Sequence, residues 1–376
     1  MAAAGRGRDP GRRRHHSDYR ARPEGRADRL EAIEGPGQLK KTIVLAYSGG
    51  AQSTAGIQWL ADHHRADVIT LTLDLGQPAD LNEIREQALS SGAIRAHVVD
   101  ARDEFVRDAV LPSLKAGALS DGRYPMSTAL TRPIIARQLV QIASLEKTKM
   151  IAHGCAGRDA VRLTRALKTL GLHYSAIAFA DEPGFTAPVD QGADRVDANL
   201  WGRTVGRRGD DGSSPPPDAS FTLTKRLEDT PNQPALVDIL FERGAPSGHS
   251  GVTMTFPELI ESLSTIAGEH GVGRLDRIKV RADGTRTRAL YEAPAAVVLH
   301  LAHGELWRYV SSESQQRFDM AVSAAYVEAI DRGEWFDPLR GGIDAYVDAT
   351  SQQMTGTIRV RLFKGAARVV GRQTHV

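Results

Sequence analysis

The chain has 376 residues, of which 41% are hydrophobic and 25% charged, with a formal net charge of +2. This length and composition allow two globular domains and exclude disorder of the whole chain. No run of about 18 apolar residues is present, which excludes a membrane-spanning helix. The single cysteine, Cys155, excludes an internal disulfide, a CxxC motif and a cysteine-rich zinc site, so we expect a cytoplasmic protein.

Residues 1–38 predict a disordered, arginine-rich arm. They hold nine Arg against six acidic residues, a net charge of +3, whereas the remaining chain has a net charge of −1. The arm lacks apolar periodicity and the apolar segment of a secretory signal, which favours a solvated tail over a nucleic-acid tether. Because the rest of the chain is nearly neutral, we expect no nucleic-acid partner for it, and no membrane partner.

Strands alternate with helices between residues 39 and 183, which predicts a nucleotide-binding domain built on a parallel sheet. The expected strands are 42–47, 67–74, 96–100 and 150–152. A first helix is expected with Ile57, Leu60 and Ala61 on one face, and further helices lie near 80–91, 103–116 and 131–146. Ligands of such sheets bind at the carboxyl ends of the strands. Here those ends are 47–50, 73–74 and 153–155.

The pattern changes after residue 183 and predicts a second, α+β domain over 184–376. We expect irregular structure at 181–198 and either a surface loop or a disordered excursion at 209–218, which is rich in Ser and Pro. The predicted strands are 235–242 and 252–256, followed by a terminal pair, 356–363 and 368–370, around a turn at Lys364-Gly365. The predicted helices are 257–270, 292–302, 314–332 and 340–352.

A strand followed by Ser48-Gly49-Gly50 and then a helix is a candidate phosphate site. Glycines let backbone N–H groups converge on an anion, and the start of a helix adds the positive end of its dipole. Ser53 and Thr54 can add hydroxyl donors. No Lys follows the glycines, so this is not a Walker A loop. Taken alone, the segment fits phosphate binding and an ordinary strand-to-helix turn equally well.

A wider set of segments carries a family resemblance. The segment KKTIVLAYSGG at 40–50 resembles the pyrophosphate-loop ATPases, whose motif is SGGxDS. Seven later segments resemble argininosuccinate synthase in that family's order: GRYPMSTALTRP (122–133), AHGC (152–155), NLWGR (199–203), AGEHGVGRLD (267–276), LYEAPAAVVL (290–299), WFDPLR (335–340) and TGTIRVRLFKG (355–365). The resemblance covers residues 39–376.

The resemblance implies a fold with a pyrophosphate-loop, adenine nucleotide alpha-hydrolase-like α/β domain and a synthetase domain. It also implies a reaction in which ATP adenylates the ureido oxygen of citrulline with release of pyrophosphate. The amine of aspartate then displaces AMP. No protein nucleophile is needed, so catalysis rests on positioning and on electrostatic stabilisation of phosphate charge. Mg²⁺ would bridge phosphate oxygens.

The resemblance also implies a set of site residues, none of them catalytic in the sense of a nucleophile. Those expected at ATP are Ala46, Tyr47, Ser48, Gly49, Gly50, Gln52, Ser53, Thr54, Leu73 and Gly154. Those expected at the amino-acid substrates are Tyr124, Thr128, Asp159, Arg162, Arg195, Thr204, Lys279 and Tyr291. Asp159 matches the acid of the aspartate site, and Arg162 matches an Arg that holds citrulline. Each also has an ordinary reading: Asp159 and Arg162 could be an exposed i, i+3 pair, and Tyr291 a core aromatic.

Four departures from the family pattern bear on the reaction. Gln52 stands where the motif has an acid, which puts metal-assisted chemistry in doubt but allows ATP binding. Ala156 replaces a Thr in a segment two residues shorter than the family's. Arg195 falls where the family has a Ser, and Lys279 where it has a Glu that pairs with the substrate ammonium. A reversed charge at about 4 Å and an effective dielectric of about 20 changes the interaction from about 4 kcal/mol attractive to equally repulsive before screening. These departures predict an acceptor other than citrulline.

Four functions remain in competition. The first is a divergent ATP-dependent, AMP-forming C–N ligase that joins an amine, aspartate or another, to an unusual acceptor. The second is a non-catalytic binding or regulatory relative, and the third is an orthodox argininosuccinate synthase. A sulfur-transfer enzyme needs more than one cysteine, and only Cys155 is present. We expect the first, with ATP and Mg²⁺, in a homodimer or homotetramer.

Overall fold

The computed structural model describes residues 41–186, 188, 194–207, 210–280 and 284–374, without the side chain of Lys279. The predicted arm at 1–38 lies outside the described residues, as do parts of the segments predicted to be irregular. The described residues from 41 onward form one compact unit.

The first part of this unit is a parallel sheet with its helices. Its strands and helices in chain order are β1 (Lys41–Ala46), α1 (Ala51–His64), β2 (Ala66–Asp74), α2 (Leu81–Ser90), β3 (Arg95–Asp100), α3 (Arg102–Phe105), α4 (Leu111–Lys115), α5 (Ser127–Leu145), β4 (Met150–His153), α6 (Gly157–Leu170) and β5 (Ser175–Ala178). A π-helical turn, Val106–Val110, joins α3 to α4. The strand order is β3-β2-β1-β4-β5, with every pair parallel.

β1 lies at the centre of this sheet, and its side chains explain why it is buried on both faces. Ile43 and Leu45 pack with Ile57 and Leu60 of α1 in one apolar cluster. Val44, which points to the opposite face, belongs to the other cluster, which includes residues of α3 and α5. Ile43, Val44 and Leu45 of β1 have no exposed surface. A continuous apolar run is typical of a parallel strand with helices on both sides.

The second part holds two antiparallel sheets and four helices. In chain order they are β6 (Arg195–Asn199), β7 (Gly202–Arg207), β8 (Ala235–Glu242), β9 (Ala245–His249), β10 (Val252–Thr253), α7 (Phe256–Glu269), β11 (Arg274–Val280), β12 (Arg286–Glu292), α8 (Pro294–Val310), α9 (Glu313–Arg332), α10 (Pro338–Ser351), β13 (Gly356–Phe363) and β14 (Ala366–Thr374). The sheet orders are β10-β9-β8-β13-β14 and β11-β12-β7-β6. The predicted class, a parallel α/β part followed by an α+β part, is confirmed.

Several local predictions are wrong. The segment 181–198, expected to be irregular, ends in β6, and the strand expected at 252–256 stops at Thr253. It stops there because Thr255 and Glu258 form a reciprocal capping box that starts α7 at Phe256. Helix α5 begins at Ser127, not at 131, and accommodates Pro133 in its interior. The sheet of β6, β7, β11 and β12 was not predicted.

Candidate functional site

The loop between β1 and α1 has the geometry of an anion-binding turn. Gly49 has a φ of +76°, a conformation that L side chains rarely adopt, and a Cβ there would lie 2.9 Å from Cγ1 of Ile84. Gly50 is the N-cap of α1 and supplies no side-chain cap. The N–H groups of the first turn of α1 therefore have no capping side chain at this position.

Three hydroxyl groups hold this loop in place. The Tyr47 hydroxyl and Thr54 Oγ1 are 2.9 Å apart. Ser53 and Thr54 both donate to the Gly50 carbonyl, over 2.9 and 3.0 Å. Gln52 is half-buried in the first turn of α1, and Ser48 is exposed. The loop is thus fixed from inside, while its outer face stays open to solvent.

The loop lies where the strand order of the parallel sheet reverses. β1 pairs with both β2 and β4, and Ala46 at the end of β1 faces His153 at the end of β4. After β4 the chain passes close to Phe179, because a Cβ on Gly154 would lie 2.7 Å from Cζ of that ring. In open α/β sheets this edge is where ligands bind. Of the residues expected at ATP, Tyr47 and Leu73 have their side chains in the core, where they are 4% and 8% exposed.

A cavity of ≈220 Å³ lies on the same side of the molecule, since α6 starts directly after the carboxyl end of β4. Six of the eight residues predicted to bind the substrates line it: Thr128, Asp159, Arg162, Arg195, Thr204 and Tyr291. They come from α5, α6, β6, β7 and β12, so both parts of the unit build its wall. The structure therefore brings together side chains that are up to 163 positions apart in the sequence.

The other two predicted substrate residues stand apart from the cavity lining. The ring of Tyr124 lies 5.3 Å from that of Tyr291, and its hydroxyl donates to the Asp276 carbonyl over 2.8 Å. Tyr124 is therefore a buried neighbour of the cavity wall. Lys279 belongs to β11, where it faces Thr287, but its side chain lies outside the described part of the structure.

The Asp159 carboxylate is the best-compensated charge of the cavity. It accepts from Arg162 Nη1 over 2.8 Å, and Arg132 Nη2 lies 3.3 Å away. Burial alone would raise the pKa of Asp159, but Arg132 and Arg162 outweigh burial and lower it to about 2. Arg162 is only 9% exposed, so the two residues are not the exposed i, i+3 pair that the sequence also allowed.

Four charged residues near these were missed by sequence reasoning. Asp197, Arg277 and Asp331 line the cavity, and the buried Arg132 lies behind Asp159. Arg277 lies over the Tyr124 ring at 4.6 Å from its centroid and donates to Ser120 Oγ over 3.0 Å. Asp331 lies in the last turn of α9, within the helix that the sequence predicts over 314–332, and no local signal marks it.

Two further groups bear on the chemistry of this edge. Burial raises the pKa of the Cys155 thiol, so the thiol form is favoured over the reactive thiolate. Burial also lowers the pKa of His153 to about 4, and its Nε2 pairs with Thr164 Oγ1 at 3.0 Å. His153 is therefore neutral at physiological pH.

The described residues hold neither a metal-binding cluster nor a membrane-spanning helix. Within the described ranges, no group of three or more His, Cys, Asp or Glu side chains is arranged to hold a metal ion. None of the described helices has the length and apolarity needed to cross a bilayer.

Comparison with known proteins agrees with the geometry. The model of the arginosuccinate synthase N-terminal HUP domain matches residues 42–186, and that of the C-terminal domain matches residues 195–376. An argininosuccinate synthase of Dehalococcoides mccartyi (strain ATCC BAA-2100) is 39% identical over 355 residues, 89% of this chain and 87% of that protein.

Argininosuccinate synthases of Bacillus cereus (strain B4264) and Bacillus thuringiensis (strain Al Hakam) are also 39% identical, over 89% of this chain and 88% of theirs. A crystal structure of NAD+ synthetase from Burkholderia pseudomallei matches 39% of this chain and 71% of its own at 24% identity, with a TM-score of 0.23. Two domain models in the right order and relatives of nearly the same length lead to one conclusion: this chain belongs to the argininosuccinate synthase family.

Proposed function

We propose that the chain is an AMP-forming ligase that uses ATP to join aspartate to citrulline. The observation that carries this proposal is the placement of the Ser48-Gly49-Gly50 loop and the charged cavity on one edge of the sheet. A nucleotide at the loop and an amino acid in the cavity would then share this edge, as a reaction between them requires. The 39% identical relatives, all argininosuccinate synthases by name, favour citrulline over the other acceptor that four sequence departures suggested.

ATP binding would rest on backbone groups. The N–H groups of the Gly49-Gly50 turn and of the first turn of α1 offer donors to phosphate oxygens, and the dipole of α1 adds to them. Thr54 and Ser53 fix the turn through the Gly50 carbonyl. Mg²⁺ would be held by the phosphates and by water, because the described residues offer no cluster of carboxylates for it.

The reaction that the resemblance implies has two balanced steps. The ureido oxygen of citrulline forms a bond to the α-phosphorus of ATP, and pyrophosphate leaves. The aspartate amine then forms a bond to the activated carbon, and AMP leaves with the oxygen. This chain would contribute by holding the reactants: Arg195 offers a cation to a carboxylate, while Asp197 offers an anion to an ammonium group. Arg277 also lines the cavity, but its guanidinium contacts the Asp121 carboxylate.

One observation favours a second candidate, a ligase with a different acceptor. Arg195, which replaces a family Ser, lines the cavity with 56% of its side chain exposed. Its nearest carboxylates are Asp197 at 3.6 Å and Asp159 at 3.9 Å, so it is only loosely paired. A cation in this position would suit an acceptor that carries a second anionic group.

The test is AMP formation by the full chain with Mg·ATP, aspartate and citrulline, with the product identified by chromatography and mass. AMP together with argininosuccinate supports the proposal. AMP that requires another acceptor supports the second candidate, and the absence of both AMP formation and ATP binding would favour a non-catalytic relative.

A matched pair of variants links any activity to this loop. Thr54→Val removes a hydroxyl that donates to the carbonyl four residues earlier, and Thr169→Val removes the same kind of bond, to Arg165, on α6. We expect Thr54→Val to weaken ATP binding and Thr169→Val to leave it unchanged. Equal effects of the two changes would argue against a nucleotide at the loop.

A further inference from the structure

The guanidinium of Arg162 is already occupied by the protein. Its Nη2 contacts the carboxylate of Asp331, its Nε donates to the backbone carbonyl of Asp331 over 3.0 Å, and its Nη1 donates to Asp159 over 2.8 Å. A guanidinium has five N–H donors in a fixed planar fork, and it binds a carboxylate best through two parallel bonds. The Nε and Nη2 edge of Arg162 could form two such parallel bonds. Both of these nitrogens already contact Asp331, Nε through the backbone carbonyl and Nη2 through the carboxylate.

The packing of two helices places Asp331 there. Asp331 is the last residue but one of α9, and Gly333, which follows Arg332, has a φ of +72° and terminates that helix. A Cβ on Gly333 would lie 2.5 Å from the Cα of Arg162, so α9 ends in direct contact with the backbone of α6. Arg158 adds a second contact to Asp331 at 2.9 Å. The Asp331 carboxylate therefore has a fixed position beside Arg162.

Three arginines of α6 meet the end of α9 along one line. Besides Arg158 and Arg162, Arg165 contacts Glu334 at 2.7 Å and donates to the Arg332 carbonyl over 3.1 Å. Of the acidic partners in this row, Asp331 lines the cavity and Glu334 does not. The contact of α6 with the end of α9 thus includes one ion pair whose acidic partner lines the cavity and one whose acidic partner does not.

The charge of the cavity shows what this contact does. Three arginines line it, Arg162, Arg195 and Arg277, together with three aspartates, Asp159, Asp197 and Asp331. Without the Asp331 charge the lining would have one excess positive charge, and Arg162 would keep Asp159 as its carboxylate partner. The family resemblance implies that Arg162 holds citrulline, and Asp331 occupies the edge of its guanidinium that would suit a substrate carboxylate.

We propose that Asp331 is a specificity-determining residue of the cavity, because its carboxylate competes with the substrate carboxylate for Arg162. This inference rests on the proposed function for the identity of the substrate, citrulline. An amino acid that enters the cavity must displace Asp331 from Arg162 or bind without that arginine. Either route weakens the binding of a ligand that carries a carboxylate, whereas a ligand without that charge does not compete with Asp331.

The test compares two ligands that differ only in that charge, citrulline and citrulline amide, in direct binding to the full chain by calorimetry. Asp331→Asn keeps the shape of the side chain and removes its charge. We expect it to bind citrulline about fivefold more tightly, since a partly exposed ion pair contributes up to about 1 kcal/mol. We expect no gain for the amide. Asp331→Glu, which restores the carboxylate, should return the affinity toward that of the original chain.

Glu334→Gln is the matched control, because it removes the neighbouring ion pair of the same two helices outside the cavity. We expect equal affinities for citrulline before and after this change. A merely structural Asp331 would lower stability in Asp331→Asn without a gain specific to the carboxylate, and that result would overturn the inference. So would an equal gain for both ligands, or a gain of the same size in Glu334→Gln.

Failure of the inference and failure of the proposed function are distinguishable. AMP formation with citrulline but no carboxylate-specific gain would refute the role of Asp331 and leave the ligase intact. A carboxylate-specific gain without AMP formation would support the role of Asp331 and count against the proposed reaction.

Discussion

The guanidinium of Arg203 contacts the buried carboxylate of Glu292 at 3.0 Å, across the pairing of β7 with β12. Glu292 is 1% exposed, and it also accepts from the N–H groups of residues 222–224. In the adjacent pair of the same two strands, Thr204 faces Tyr291, and both line the cavity. The buried ion pair therefore fixes the register that places these two side chains in the site.

Glu292→Gln should lower the free energy of unfolding by about 3 kcal/mol. The amide N–H₂ of Gln would face some of the donors that the carboxylate now satisfies, and Arg203 would lose its charged partner. Urea unfolding followed by circular dichroism measures the loss. The exposed pair of Arg85 and Glu86 supplies the control, since Glu86→Gln should change stability by less than about 0.5 kcal/mol. Losses of equal size would contradict a structural role for the buried pair.

Gly49→Ala should be destabilising, whereas Gly50→Ala in the same turn should not. Gly49 has a φ of +76° and would bring its Cβ within 2.9 Å of Ile84, so we expect a cost of about 1–2 kcal/mol and a weaker affinity for ATP. Gly50 has a φ of −72°, and the nearest atom to a Cβ there is Ser48 Oγ at 3.6 Å. Thermal unfolding of the two variants decides. A larger loss for Gly50→Ala would show that the turn differs from this description.

The parallel sheet could be predicted because its signals are local. β1 is an apolar run, Ser48-Gly49-Gly50 ends it, and β2 was expected over 67–74 and is observed over Ala66–Asp74. The strand at Ala235–Glu242 was predicted with its observed bounds, since it is a short apolar run whose alternate residues Val237, Ile239 and Phe241 pack in the core.

The four-stranded sheet could not be predicted, because charged residues take positions that would normally be apolar. Arg288 of β12 is 4% exposed and contacts Asp276 and Asp210. Its burial depends on partners from other segments, so the alternation of β12 is hidden in the sequence. Asp331 was missed for the same reason, because its place in the site depends on its contact with Arg162, 169 positions away in the sequence.

Asp159 should make stability depend on pH in acid. Its pKa is about 2 in the folded chain and near 4 in the unfolded chain, because Arg132 and Arg162 outweigh the effect of burial. A lowered carboxyl pKa stabilises the fold above pH 4, and this stabilisation, about 2 kcal/mol, is lost as the pH falls from 4 toward 2. Asp159→Asn has no carboxyl group to titrate and therefore lacks this stabilisation. The difference in unfolding free energy between the two proteins should therefore narrow over that range, and a constant difference would contradict the assignment.

His300 and His303 of α8 should produce a second loss of stability in acid, which begins at a higher pH than the loss caused by Asp159. Both line a cavity of ≈300 Å³ remote from the candidate site, and they are 9% and 3% exposed. The Nε2 atoms of both have no hydrogen-bond partner in the described structure. Burial lowers the pKa of His300 to about 3 and that of His303 to about 4, and Lys115 contributes to the latter.

A buried histidine with a lowered pKa destabilises the fold in acid, because the unfolded chain binds a proton that the folded chain does not. Below the unfolded pKa of about 6.5 the free energy of unfolding should fall until about pH 4, by on the order of 3 kcal/mol for His303. His303→Gln removes one titrating group and should flatten this slope, whereas His173→Gln changes an exposed histidine and should leave it unchanged. Urea unfolding at pH 7 and pH 5 measures both. A slope as steep in His303→Gln as in the original chain would show that His303 already takes up its proton in the folded state.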